Sequence, residues 1–226
     1  MAPEVALEAA LSWSLVVPVK VLAQAKSRLT GLAGPLRAEL ALAMVADTVA
    51  AATAASSVAA VLIVTDDAAV REVAADLGAI VLPDQPAAGL NAALEHGATY
   101  LAAHWPDRGR AALAGDVPAL RPTELDAALA AAGTSSAARW SAFVPDADGT
   151  GTTLYAAAPG AQFRPEFGLA SRERHLAAGA TELDLGDRAR GLRRDVDTMA
   201  DLREAATIGL GPRTLAVLAR AGGIPS

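Results

Sequence analysis

The sequence predicts an α/β fold: a mostly parallel central sheet with helices on both faces. Three observations predict it. Short β-branched or apolar runs alternate with longer stretches of helical spacing through the first two-thirds of the chain. Each crossover between runs is long enough to carry a helix, as parallel pairing requires. Much of the 53% apolar content is alanine, which favours helix. No Gly/Ser/Pro linker divides the 226 residues, so a single domain over 1–226 is expected, with its core at about 13–220.

The elements follow in order. Leu15-Val16-Val17-Pro18-Val19 is the first strand. Gly34-Pro35 opens a helix with proline at its first position, and Leu36, Leu40, Met44, Val45 and Val49 follow at helical spacing. Val58 to Val64 is the second strand. Asp66-Asp67 suits the N-terminus of the next helix, whose stripe is Val70, Val73, Ala74 and Leu77 and whose end is Gly78. Ala79–Leu82 is a third strand, Leu90 to Ala103 a helix and Ala111–Ala114 a fourth strand. Pro122-Thr123-Glu124-Leu125 opens another helix. The pattern then changes. Ala142-Phe143-Val144 and Thr153-Leu154-Tyr155 read as a hairpin or as antiparallel strands at an edge. The last third mixes short elements and ends in a helix over Pro212–Ala221.

Composition narrows the function. With three Trp, three Phe and two Tyr, the core must be built mainly from Leu, Val, Ile and Ala. A net charge of −6 argues against general nucleic-acid binding, which demands clustered Lys and Arg. The absence of cysteine excludes disulfides and thiolate-ligated zinc. No apolar run is long enough for a membrane span, and Met1-Ala2-Pro3-Glu4 lacks a signal-peptide basic region, so a cytoplasmic protein is expected.

Candidate chemistry starts with carboxylates. Asp116, in Gly115-Asp116-Val117-Pro118, follows an apolar run and is expected at the carboxyl edge of the sheet, where open α/β folds bind ligands. The alternative is a strand-end turn residue bonding nearby N–H groups. Asp195 and Asp197, in Asp195-Val196-Asp197-Thr198, fall on one side of an extended segment, and the alternative for Asp197 is a helix cap. Two such sites brought together suit a hard dication such as Mg²⁺ against phosphate. Lys20, Lys26 and Arg28 put three cations in the loop after the first strand: a phosphate cradle, or an ordinary solvated loop. That loop lacks both the P-loop spacing and GxGxxG. Gly149-Thr150-Gly151-Thr152-Thr153 is either an anion-holding loop or a hairpin turn. Phe167-Gly168 with Ser171 is either an anion site or a helix start, and Arg172, Arg174 and His175 are close in sequence. The histidines show no zinc-binding spacing, there is no GxSxG elbow, and the tryptophans read as packing residues.

Taken as a set, Val17-Pro18-Val19-Lys20 with Ala25-Lys26-Ser27-Arg28-Leu29, Gly89-Leu90-Asn91-Ala92-Ala93, Gly115-Asp116-Val117-Pro118-Ala119-Leu120, the Gly149–Thr153 loop, Phe167-Gly168 with Ser171, and Asp195–Thr198 are a pattern over roughly residues 13 to 220. In that pattern the chain resembles the phosphoenolpyruvate / 2-phospho-L-lactate guanylyltransferase family of coenzyme F-420 biosynthesis. The resemblance implies a Rossmann-like, glycosyltransferase-A-like nucleotidyltransferase fold and a GTP-dependent condensation that releases diphosphate. It implies Mg²⁺ held by Asp116, Asp195 and Asp197, with Asp116 and Lys26 catalytic. It implies phosphoenolpyruvate bound by Thr152, Gly168 and Ser171, GTP phosphates faced by Lys20, Lys26 and Arg28, and Asn91 near the nucleoside. Molybdopterin and sugar-nucleotide enzymes carry a Gly-rich first loop, which Lys26-Ser27-Arg28 replaces here. A phosphate nucleophile is already ionised, so no strong general base is required.

The expectation is thus a phosphoenolpyruvate guanylyltransferase, with hand-over of product to the downstream F-420 transferase. The alternatives are 2-phospho-L-lactate as acceptor, a different nucleotidyltransferase, or a non-catalytic nucleotide-binding module.

Overall fold

The protein is described by a computed structural model over residues 11–22, 29, 34–134 and 139–224. Seven strands, β1 (Trp13–Pro18), β2 (Val58–Val64), β3 (Ile80–Leu82), β4 (Gly109–Leu113), β5 (Ser141–Pro145), β6 (Thr152–Ala157) and β7 (Thr181–Glu182), form one sheet. The helices are α1 (Gly34–Ala54), α2 (Ala68–Asp76), α3 (Leu90–His104), α4 (Pro122–Gly133), α5 (Ser171–Ala177), α6 (Arg190–Arg193), α7 (Met199–Ile208) and α8 (Pro212–Arg220). The strand order is β3-β2-β1-β4-β6-β5-β7. Pairing is parallel throughout β3-β2-β1-β4 and between β5 and β7, while β6 runs antiparallel to both β4 and β5.

The expected alternation of strands and helices is what forms, with ends shifted by a residue or two. Of the two readings for the later strands, the hairpin is found, but it does not sit at the edge. Its second strand β6 is inserted between β4 and β5, and the two-residue β7 closes the sheet.

Both faces are covered. Leu15, Val17, Ile63, Leu113, Val144 and Leu154 face a core layer with Leu40, Met44 and Val49 of α1, Leu125 and Leu129 of α4, and Leu202 of α7. Val16, Leu62, Val64, Phe143, Tyr155 and Ala157 face a second layer with Leu94 and Leu101 of α3 and the apolar residues Ala158, Ala161, Phe163 and Phe167. Burial on both faces explains why β1 and β2 read as continuous apolar runs rather than alternating ones.

The topology also decides what meets at one edge. β1, β4 and β5 point the same way, so the residues just past their ends, Lys20, Asp116 and Asp146, share the carboxyl edge. Because β6 runs against them, its first residue, Thr152, starts at that same edge.

Candidate active site

The acidic end is built by chain crossings rather than by neighbours in sequence. The backbone N–H of Val196 donates to the carbonyl of Asp116 at 3.0 Å, which lays the Asp195–Asp197 segment along the β4 exit. Ala147 N–H donates to the Arg193 carbonyl at 2.8 Å, and the Arg193 side chain donates to the carbonyls of Pro145 and Asp146. Arg194 is largely buried and pairs with Asp148, Asp201 and Glu204 at 3.2, 3.7 and 2.7 Å. These contacts put Asp195 beside Asp116, Asp146 and Asp197. Burial, and then the charges of Asp116, Asp146 and Asp197, push the Asp195 carboxyl up to about 7. Clustered carboxylates, one of them raised by burial and by the charges of the others, are what a dication relieves.

Asp195 and Asp197 differ in setting. Asp195 is partly buried and Asp197 is exposed. The helix that follows is capped by Thr198, not by Asp197. Thr198 Oγ1 accepts from Asp201 N–H, and the Asp201 carboxylate accepts from the N–H of both Asp197 and Thr198. The capping alternative for Asp197 is therefore set aside. Among the described residues no group of three or more His, Asp or Glu is placed to hold a metal ion. A Mg²⁺ site of one or two carboxylates completed by substrate phosphate fits that arrangement.

The Gly149–Thr153 loop is a hairpin turn, and its N–H groups hold a carboxylate that belongs to the chain itself. Asp146 accepts from Thr150 N–H at 2.9 Å and Gly151 N–H at 2.7 Å. A Cβ at position 151 would stand 2.3 Å from Asp146 Oδ2, so the close approach requires glycine there. Asp146 thereby joins the acidic end to Thr152.

The other end gathers Thr152, Gly168 and Ser171. Strict alternation from Leu154 would turn Thr152 toward the first core layer. A register shift between Val144 and Pro145 intervenes, and Thr152 Oγ1 instead meets His175 Nδ1 at 3.0 Å. His175 is fully buried on α5, one turn beyond Ser171, which is itself 1% exposed. Gly168 has a φ of +113°, a conformation side chains resist, and its carbonyl accepts from Ser171 N–H at 3.0 Å. Asn91, at the start of α3, clasps this turn: its amide donates to the Phe167 carbonyl and accepts from Phe167 N–H. Arg174 donates to the carbonyls of Glu166 and Phe167.

Thus the structure brings Asp116, Asp195 and Asp197 together, and separately gathers Thr152, Gly168 and Ser171, with the Asp146–Gly151 turn between. Lys20 is exposed at the same edge. Lys26 and Arg28 lie outside the described residues. Sequence reasoning missed Asp146, although Ala142–Pro145 is an apolar run ending in a carboxylate, the same signal that singled out Asp116. His175 was noted only as a neighbour; its partner Thr152 is distant in sequence, and no spacing rule connects them.

Comparison with known proteins identifies the family and the fold. Residues 13–218 match the family described as guanylyl transferase, CofC like. A phosphoenolpyruvate guanylyltransferase of Thermomonospora curvata is 54% identical over 220 residues, covering 97% of this chain and 94% of the relative. One from Streptomyces coelicolor is 56% identical over 212 residues, covering 93% and 97%. Among solved structures, a candidate nucleotide-diphospho-sugar transferase from Desulfovibrio desulfuricans G20 superposes with a TM-score of 0.68 at 20% identity, covering 93% of this chain and 95% of that one. A nucleotidyl transferase from Methanothermobacter gives 0.57 at 21%, covering 87% and 97%. The fold is accordingly the Rossmann-like, glycosyltransferase-A-like one of nucleotidyltransferases. The chain belongs to the CofC-like guanylyl transferase family and is a nucleotidyltransferase.

Proposed function

We propose that the chain condenses phosphoenolpyruvate with GTP, giving enolpyruvyl-diphospho-5'-guanosine and diphosphate, as a step in coenzyme F-420 biosynthesis. The observation that carries the reading is the meeting of two unlike half-sites across one short turn. Asp146 accepts from the turn's N–H groups and stands with Asp116 beside the partly buried Asp195 on one side, while Thr152 at the turn's end joins the Gly168–Ser171 group on the other. Relatives more than half identical over nearly the whole chain bear the corresponding name.

In the reaction a phosphate oxygen of the acceptor attacks the α-phosphorus of GTP. A new P–O–P bond forms, the bond from the α-phosphorus to the bridging oxygen breaks, and diphosphate leaves with the electron pair. Both partners are anions, so the chain must screen their repulsion. Lys20, exposed at this edge, and Lys26 and Arg28, assigned by the family resemblance, are the cations that would stabilise charge growing on the diphosphate. Thr152, Ser171 and the backbone at Gly168 bind and orient the acceptor, and Asn91 supports that wall through both hydrogen bonds to the Phe167 backbone; its place near the nucleoside rests on the family resemblance. One or two of the carboxylates of Asp116, Asp195 and Asp197 would hold Mg²⁺, with substrate phosphate completing the site, and the ion when bound supplies charge neutralisation at the phosphates. The product is a phosphoenolpyruvyl group activated by guanylate as its leaving group, so the reaction that consumes it transfers that group to an acceptor and expels GMP; the reading includes hand-over to such a transferase in the cytoplasm.

Diphosphate release from GTP, Mg²⁺ and phosphoenolpyruvate, assayed with the purified chain, tests this. Release with 2-phospho-L-lactate alone would reassign the acceptor. GTP binding without release with either acceptor, with the consuming transferase present as well, would point to a binding module.

A further inference from the structure

We propose that His175 is a positioning residue for the acceptor, holding the Thr152 hydroxyl in the orientation that donates a hydrogen bond to an anionic acceptor oxygen. The inference rests on the reading of Thr152 as an acceptor-binding residue and adds what makes it a donor.

The polarity of the relay follows from one backbone group. Glu166 N–H points at His175 Nε2 at 2.8 Å. A backbone N–H only donates, so Nε2 must carry its lone pair, and the ring proton sits on Nδ1. Nδ1–H then donates to Thr152 Oγ1 at 3.0 Å, sharing its proton with the Ser171 carbonyl one turn back on α5. Burial, and secondarily the nearby Arg174, lower the imidazole to about 4, so the ring stays neutral near pH 7 and this tautomer persists.

A threonine hydroxyl has one hydrogen and two lone pairs. His175 occupies one lone pair of Thr152 and, among the described residues, is the one hydrogen-bond partner of the hydroxyl. The hydroxyl hydrogen is left to donate outward. Had the ring carried its proton on Nε2, Thr152 would have donated to the imidazole and turned only lone pairs toward an anion. The Glu166 N–H excludes that arrangement. Wrong polarity against a charged oxygen is costly, whereas a correct charge-assisted bond is among the stronger ones.

The surroundings fix the ring. It stacks on Phe143 and Tyr155 at centroid distances of 5.2 and 5.0 Å and meets the edge of Phe167 at 5.8 Å. His175 thereby ties β6, the Glu166–Gly168 turn and α5 together, the three elements that carry Thr152, Gly168 and Ser171. Packing alone would be served by a phenyl ring, with no buried nitrogens to satisfy.

The test is a double-mutant cycle on His175→Phe and Thr152→Val, reading KM for phosphoenolpyruvate, KM for GTP and kcat separately. Each single variant is expected to raise the acceptor KM about 10- to 100-fold and to leave the GTP KM within about twofold. The double variant should be no worse than Thr152→Val alone. His175→Asn, which keeps an N–H close to the Nδ1 position, should recover part of the loss. Additive effects of the two substitutions would overturn the proposal, because His175 would then act independently of Thr152. An unchanged acceptor KM in Thr152→Val, with turnover intact, would overturn it together with the assignment of Thr152. Failure of condensation with phosphoenolpyruvate but not 2-phospho-L-lactate in the unmodified protein would strike only the choice of acceptor, and the cycle would be read with the lactate ester. Should His175→Phe fail to fold, long-range ¹H–¹⁵N NMR of the unmodified protein at pH 7 decides the polarity. A proton on Nδ1 supports the relay, and one on Nε2 or on both nitrogens overturns it.

Discussion

At the scale of single residues, two aspartates near the same edge do different work. Asp116 lies three residues past the end of β4 at the sheet's carboxyl edge, and its carbonyl anchors the Asp195–Asp197 segment. Asp116→Asn keeps the backbone and the side-chain shape but removes the charge. Turnover is expected to fall by about 100-fold or more, with an unchanged circular dichroism spectrum, since charge stabilisation at a transferring phosphoryl group is of that order. Retained turnover would remove Asp116 from the chemistry. Asp146 is foremost a scaffold residue. Asp146→Ala leaves Thr150 and Gly151 N–H without their acceptor and is expected to cost about 1–3 kcal/mol. The urea midpoint should drop while the slope stays the same. Asp116 was legible in the sequence because an apolar run ended on it. The loop partners of Asp146 were not, because a Gly-rich turn looks the same whether its N–H groups hold a ligand or a neighbour.

At the scale of elements, the C-terminal helix shows how a distant part of the chain is fastened to the site. Asp47, 5% exposed on α1, accepts from the N–H groups of Arg213 and Thr214 in the first turn of α8 at 3.1 and 2.8 Å. Gly211 N–H donates to the carbonyl of Pro118, two residues past Asp116. A carboxylate on the donors of a helix N-terminus is favourable both as a hydrogen-bond acceptor and against the helix dipole. Asp47→Ala is expected to destabilise the protein by about 1–3 kcal/mol and to speed hydrogen exchange in α8 more than in β1 or β4. Uniform acceleration across the sheet would show that α8 is not a locally separable unit. The helix itself was legible from its proline start and apolar spacing; its cap was not, since Asp47 sits mid-helix where a sequence reading expects a solvated or odd residue.

At the scale of the whole molecule, two buried titrations oppose each other. His175 is lowered from 6.5 to about 4, so the unfolded chain takes up a proton first as the pH falls. Stability from this group is complete above pH 6.5 and declines down to about pH 4, by about 3 kcal/mol in total. Asp195 is raised from 3.8 to about 7, so the folded state takes up a proton first, and stability from this group grows as the pH falls through the same window. The two contributions have opposite signs and similar size. With divalent ions chelated, the unmodified protein is expected to show a nearly flat stability between pH 6.5 and 4. Asp195→Asn should unmask the His175 loss, and chemical denaturation at stepped pH measures both. A flat profile in Asp195→Asn would mean that His175 is not held neutral by burial.

The sequence by itself determined the parallel β-α-β-α-β-α-β frame, the helices that clothe it and the clustering of Asp116 at its carboxyl edge. Those features are local: they follow from the period of apolar residues, from proline and glycine at helix ends, and from the length of each crossover. Only the tertiary structure decided that β6 inserts between β4 and β5, that Thr198 rather than Asp197 caps α7, and that Thr152, His175 and Glu166 form one polar relay. Strand order and bulge register depend on which surfaces two cores bury together, and a hydrogen bond between residues far apart in the chain leaves no periodicity to read.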